Sequence, residues 1–246
     1  MTQVYSITQS GLYEPFDVQV ARGAVAWHST VNIYGAQTAV GVSTIPIWEN
    51  ATAYTYPVAA TLMNLVSTVA GDVGMTILIN GLDAGYNQIS ETVTLNGTTV
   101  VPTVSSFFRI NGMFVASGAP TGVITLKNLA NTVTYSQIAA NFGRSQAAIY
   151  TVPAGYTFLL SRVDAYSSTN GFTADYIVYR NQTISSAGVT TFTQQAPFTG
   201  NYNARRVMPR PFLEKTDIQL QARASANSYY VSIAAEGYLV KNDSST

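Results

Sequence analysis

The sequence predicts an all-β protein: two β-sandwich, jelly-roll-like domains preceded by an extended N-terminal arm. Short runs rich in Val, Ile, Thr and Tyr recur from residue 53 onward, parted by Gly, Pro and Asn turn signals. No apolar pattern of helical period persists long enough for a substantial helix. Charged residues make up only 10% of the 246-residue chain, against ~25% in an ordinary soluble domain. The polar surface therefore falls to Thr, Ser, Asn, Gln and Tyr, which suit strands and turns better than exposed helices.

Residues 1–50 stand apart. Aromatic groups are scattered through them (Tyr5, Tyr13, Phe16, Trp27, Tyr34, Trp48) with little alternation. Such a segment lacks the periodicity to build its own core, yet carries too many large apolar groups for a solvated tail. It reads as an extended arm that docks on its own body or on a neighbour; the alternative is an ordinary N-terminal subdomain with irregular strands.

A first domain is expected over residues 51–145. Residues 60–68 are β-compatible, although their Leu-Met-Asn-Leu run could make a short helix, and 75–79 form a short apolar run between turn signals, a buried strand. Residues 88–104 read as a hairpin turning at Asn96-Gly97, a pair suited to a type I′ turn. On its incoming arm Val93 and Leu95 alternate with Thr92 and Thr94. Further strands are expected at 107–116 and 122–128, with a weakly patterned stretch at 132–141.

The boundary falls near Gly143-Arg144-Ser145, and a second domain follows over 146–246. Residues 147–152 lead to the turn Pro153-Ala154-Gly155. Strands are then expected at 156–166, 174–180, 189–195, 217–224 and 229–240. The last two are expected to pair through residues 225–228. In 217–224 the residues Ile218, Leu220, Ala222 and Ala224 alternate with Gln219, Gln221 and Arg223.

The composition excludes several classes of function. Net charge is zero and the pI is about 6.6, so no nucleic-acid partner is expected. There is no cysteine, which removes disulfides and thiolate metal sites. No apolar stretch approaches the ~20 residues a bilayer-crossing helix needs, so no membrane partner is expected either. The N-terminus lacks the pattern of a signal peptide, which points to synthesis in a cytoplasm.

Catalysis is not expected. His28 is the sole histidine, and there is no Gly-x-Ser-x-Gly elbow. The carboxylates are dispersed, and nothing selects a pair such as Asp164 and Asp175. The loop Gly81-Leu-Asp83-Ala-Gly-Tyr-Asn87 has oxygen ligands but lacks EF-hand spacing, so a turn whose Asp bonds its own backbone is favoured over a calcium site. No catalytic, cofactor or metal residue is therefore assigned.

The candidate contact residues are Phe16, Trp27, Tyr34 and Trp48 in the arm. With them go Arg205, Arg206 and Arg210 in a proline-flanked connection, since guanidinium forks grip carboxylates and phosphates. The chain holds 16 tyrosines. Tyr229-Tyr230, Tyr176 and Tyr179 suit either sugar stacking or a subunit interface.

The segments Gly81-Leu-Asp83, Glu91-Thr-Val-Thr-Leu-Asn-Gly-Thr-Thr99, Tyr150-Thr-Val-Pro-Ala-Gly155 and Glu214-Lys-Thr-Asp-Ile218 occur in this order. Together with the stretch 48–56 they resemble virion structural proteins of tailed bacteriophages, over roughly residues 50–240. The resemblance implies a non-enzymatic, multi-copy particle component: a capsid decoration protein, a head fibre or a tail protein. It implies synthesis in the host cytoplasm and location in the virion. The implied partners are the chain itself, as a homotrimer, and the major capsid or tail proteins. The competing expectation is a carbohydrate-binding adhesin module of a phage tail that recognises host surface glycans. An exposed aromatic platform would favour it. A polysaccharide-degrading enzyme would instead require a cleft with paired carboxylates.

Overall fold

In the computed structural model, residues 14–50, 52–168, 177–225 and 229–242 are described, leaving aside the side chains of 177–180 and 193–194. The protein is all-β, with one short helix among the described residues, α1 (Phe16–Ala21), and a 3-10 turn at Ala70–Asp72. Its strands build two cores.

The larger core lies between two sheets. One has the order β1 (His28–Val40), β16 (Tyr229–Lys241), β11 (Tyr156–Ser167), β14 (Asn201–Phe212). The other has the order β10 (Ile149–Thr151), β15 (Asp217–Ala224), β12 (Ile177–Ile184), β13 (Thr190–Phe198), with β2 (Ile45–Pro46) also on β15. Ile33, Phe158, Leu160, Val163, Ile233 and Leu239 enter this core from the first sheet; Ile47, Tyr150, Ile218 and Leu220 enter from the second.

The N-terminal segment corrects the expectation of an extended arm. Residues 28–40 form β1, which pairs antiparallel with β16 from His28↔Val240 to Val40↔Tyr229. Its alternation is real but faint: Ile33 and Gly35 are buried, while Thr30 and Asn32 face solvent. Gly35 carries no side chain to mark the inward face. It is needed there, because a Cβ would overlap the Ile47 carbonyl and the Ala148 amide.

The chain between β2 and β10 leaves one strand position and returns to it. Ala222 and Gln221 of β15 pair with Ile45 and Pro46, and Gln219 pairs with Ile149. Leu220 sits at the hand-over: its carbonyl accepts from the Ile47 amide at 3.0 Å and its amide donates to the Ala148 carbonyl at 2.9 Å. Residues 49–146 are thus inserted within a single row of β15 partners.

The inserted segment builds the second core. One sheet has the order β6 (Val101–Pro102), β3 (Met63–Ser67), β8 (Ile124–Asn128), β9 (Thr134–Ile138); the other has β5 (Gln88–Thr94), β4 (Thr76–Leu82), β7 (Arg109–Ser117). Met63, Leu65, Ile77, Ile79, Phe107, Met113, Ile124 and Leu126 pack between them.

Three local expectations change. The predicted hairpin is a crossing: β5 pairs with β4, whereas β6 pairs with β3 in the facing sheet. A turn is present one residue further on, centred on Gly97-Thr98, with the Thr99 amide donating to the Asn96 carbonyl at 3.0 Å. Only Gly97 takes positive φ, at 57°, so the two-residue type I′ geometry is absent. Pro102 has no N–H, which suits the edge position of β6.

The last two strands do not pair with each other. β16 lies between β1 and β11, across the core from β15. Finally, the arginine-rich connection is β14, an edge strand. Its prolines are tolerated because one side of an edge needs no ladder donor.

A buried ion pair ties the two bodies together. Arg109 of β7 donates from Nε to Asp217 Oδ1 at 2.9 Å and from Nη2 to Oδ2 at 3.0 Å. Its Nη1 donates to the carbonyls of Pro57 and Phe108. The guanidinium carbon lies 4.0 Å from the Phe108 ring centroid and 4.7 Å from that of Tyr56. Beside it, Asn111 exchanges two hydrogen bonds with the Thr151 backbone, both at 2.9 Å.

Candidate functional site

The outer face of the β1-β16-β11-β14 sheet collects most of the candidate residues. Period-2 alternation sends every second side chain of each strand to this face, and the register lines them up in rows across the four strands. One row reads Asn32, Glu236, Arg162, Arg205; the next reads Tyr34, Ala234, Asp164, Asn203; the third reads Ala36, Ser232, Tyr166, Asn201.

Bulges keep the rows aligned. In β11 the register shifts between Leu160 and Arg162, so Arg162, Asp164 and Tyr166 all face outward although Leu160 faces the core. Opposite it, the pairing jumps from Leu160↔Arg210 to Arg162↔Arg205. Residues 206–209 of the edge strand thus stand opposite Ser161 alone, and Val207 and Met208 there are highly exposed.

Two grooves run over this face. The first, about 580 Å³, is lined by Asp17, Thr30, Asn32, Arg162, Arg205 and Glu236, among others. The second, about 370 Å³, has Ser232 and Ala234 as its low strip, with Tyr34, Asp164, Tyr166 and Asn203 around them. Short residues on β16 beside long ones on β1 and β11 give the trough its depth.

The polar groups of this face are held in small linked sets. Arg162 Nε lies 2.6 Å from Asp164 Oδ2, and Asn203 Nδ2 donates to Asp164 Oδ1. Asn32 Nδ2 donates to Glu236 Oε1 at 3.3 Å. Burial lifts the Tyr34 phenol above its ordinary range; the hydrogen bond to Tyr230 adds to this, while Ser232 and Arg144 oppose it. Burial also raises Tyr238, with Asp17 pushing the same way and Arg205 opposing.

The predicted contact residues divide as follows. Tyr34, Arg205 and Arg206 line the two grooves. Phe16 covers one end of the face, with its ring centroid 5.6 Å from that of His28 and 5.8 Å from that of Tyr238. Arg210 follows on β14. Trp27 sits beyond this end, exposed, with Lys241 Nζ 4.5 Å from its ring centroid. Trp48 does not join them: it is 1% exposed, its Nε1 donates to the Thr52 carbonyl at 2.8 Å, and it packs edge-on to Tyr54.

Sequence reading missed Arg162, Tyr166, Asn203 and Glu236, and named Asp164 only as one of the dispersed carboxylates. The spacing Arg162-x-Asp164-x-Tyr166 was a visible signal of an outward polar edge. Nothing local shows that it faces Tyr34 across β16.

The remaining candidates are quiet. His28 Nδ1 lies 2.9 Å from the Ala26 carbonyl, with no carboxylate partner in the hydrogen bonds of the described residues. Asp83 Oδ1 accepts from the amides of Gly85 and Asn87 at 2.8 and 2.9 Å, a turn closed by its own aspartate. Among the described residues, no group of three or more His, Cys, Asp or Glu is placed to hold a metal ion, and no helix is long and apolar enough to cross a membrane. Asp175, Tyr176 and the side chain of Tyr179 lie outside the described residues.

Comparison with known proteins adds little to this picture. No family model and no curated protein matches the chain. Among solved structures, the chain is similar to "Structure of infectious bursal disease virus Gt strain", at 11% identity over 88% of this chain and 77% of that one. The TM-score is 0.17, a likeness that carries no argument.

Proposed function

We propose that this chain is a non-enzymatic structural component of a tailed-bacteriophage virion, present in several copies on the capsid or tail. The observation that carries the reading is the strand order β1-β16-β11-β14 facing β10-β15-β12-β13. Counting β1 and β10–β16 as eight successive strands, this is the order of a double-Greek-key jelly roll, an architecture that recurs in viral capsid and lectin domains. The segment 49–146 is then a second β-sandwich inserted within one strand position. The motif resemblance to phage virion proteins, given above, points the same way.

Residues 28–48 are occupied within the fold, so among the described residues of the arm Phe16, Trp27 and Tyr34 are those left to contribute to assembly. Val207 and Met208 on the β14 bulge, bracketed by Arg206 and Arg210, supply the further exposed apolar surface an interface uses. Self-association, most simply as a homotrimer, and contact with a major capsid or tail protein follow from this reading. The test is immunogold electron microscopy and quantitative mass spectrometry on purified particles of the phage that encodes the chain. Several copies per particle at a regular location are expected. Absence from washed particles would sink the proposal.

A further inference from the structure

We infer that the outer face of the β1-β16-β11-β14 sheet is a binding site for an uncharged oligosaccharide. The inference stands whether or not the chain belongs to a virion, because it rests on the chemistry of the face alone. A sugar ring offers apolar C–H faces and a rim of hydroxyls that both donate and accept. Its binding surface therefore needs aromatic rings beside fixed carboxylate and amide groups.

The second groove has that combination. Tyr34 and Tyr166 stand on either side of the strip formed by Ser232 and Ala234. Tyr230 lies next to Tyr166, with ring centroids 6.3 Å apart, and bonds Tyr34. Asp164 and Asn203 flank the strip as a linked acceptor and donor, and Asp164 is itself held by Arg162. These groups sit on strands rather than on loops, so little ordering is required when a ligand arrives. The first groove continues the track with Asn32, Glu236 and Arg205.

Charge decides the class of glycan. Arg162, Arg205 and Arg206 along the two grooves are balanced by Asp17, Asp164 and Glu236. A polyanion would meet the carboxylates of Asp17, Asp164 and Glu236 along the same grooves. An uncharged sugar chain meets alternating donors and acceptors. The competing occupant, a second copy of this chain, would bury the same tyrosines.

The experiment uses the full-length protein on an array of hexose, deoxyhexose and N-acetylhexosamine oligosaccharides, with heparin as the charged control. Hits are followed by calorimetry, and oligomeric state by sedimentation. Saturable binding of at least one neutral oligosaccharide is expected, little changed between low and high salt. Tyr166→Ala and Asp164→Asn should each weaken it tenfold or more without lowering the melting temperature appreciably. Val104→Ser, in the inserted body, should leave it unchanged. The inference is overturned if no neutral glycan binds, if heparin alone binds, or if Tyr166→Ala leaves affinity intact. It is also overturned if Tyr166→Ala instead dissociates an oligomer that has no glycan affinity.

Discussion

The Arg109–Asp217 pair offers the sharpest test of how the two bodies are joined. Arg109 is 8% exposed and Asp217 is 5% exposed, so neither charge is well solvated if the other is removed. In Arg109→Ala, Asp217 loses both guanidinium bonds and keeps only the Thr151 hydroxyl, 2.6 Å from Oδ1. Breaking a buried pair in this way costs about 3–5 kcal/mol. Losing the guanidinium contacts with Phe108 and Tyr56 adds about 0.5–2 kcal/mol.

Asp217→Ala should fall in the same range, because it strands a buried cation. The double variant should be no worse than either single one, which makes the coupling at least as large as the smaller single loss, about 3–5 kcal/mol. Replacing the pair by Arg109→Met with Asp217→Leu should restore most of the stability, since apolar groups of similar volume carry no desolvation penalty. Urea unfolding followed by tryptophan fluorescence suits the measurement, because Trp48 is buried and packed edge-on to Tyr54 near the junction while Trp27 is exposed. Additive single-variant effects, or losses below about 1 kcal/mol for both, would refute the account of the junction.

Other consequences follow from the same architecture. Glu49, where the inserted segment departs, has its carboxyl pushed up to about 7 by burial, against opposing hydrogen bonds from Ala139 and Gln146. A raised folded-state value stabilises the protein fully below the ordinary carboxyl value of about 4.5, and that contribution is lost as pH rises through about 7. Melting temperatures should therefore decline across this window by the equivalent of about 1–3 kcal/mol, and Glu49→Gln should flatten the decline; an unchanged slope in the variant would remove Glu49 as its source. Gly35→Ala should destabilise by about 1–3 kcal/mol through overpacking against Ile47 and Ala148, read from the denaturation midpoint; a neutral result would mean the crossing can yield. Deleting residues 1–50 removes β1 and β2, so circular dichroism should show loss of a cooperative transition. A truncated chain that still melts cooperatively at a similar temperature would show that β16 does not need β1.

The sequence by itself determined the class and most strand positions. Alternation at residues 217–224, turn chemistry at Pro153-Ala154-Gly155 and the scarcity of charge are local properties, legible wherever side chains mark the two faces of a strand. Where they do not, reading failed: Gly35 and Ala36 hid the period of β1, and Pro209 and Pro211 disguised β14 as a connection. Arg205, Arg206 and Tyr34 were visible as residues with something to bind.

Only the tertiary structure decided which strands are neighbours. It split a strand position around residues 49–146, sent β6 to the sheet opposite β5, and slipped β16 between β1 and β11. Through the bulges at Leu160–Arg162 and Arg205–Arg210 it then set Tyr34, Asp164 and Asn203 in one row. Backbone ladders are made of the same N–H and C=O groups in every strand, so hydrogen bonding does not itself name the partner. That choice falls to the collective packing of two cores, which no single stretch of the chain contains.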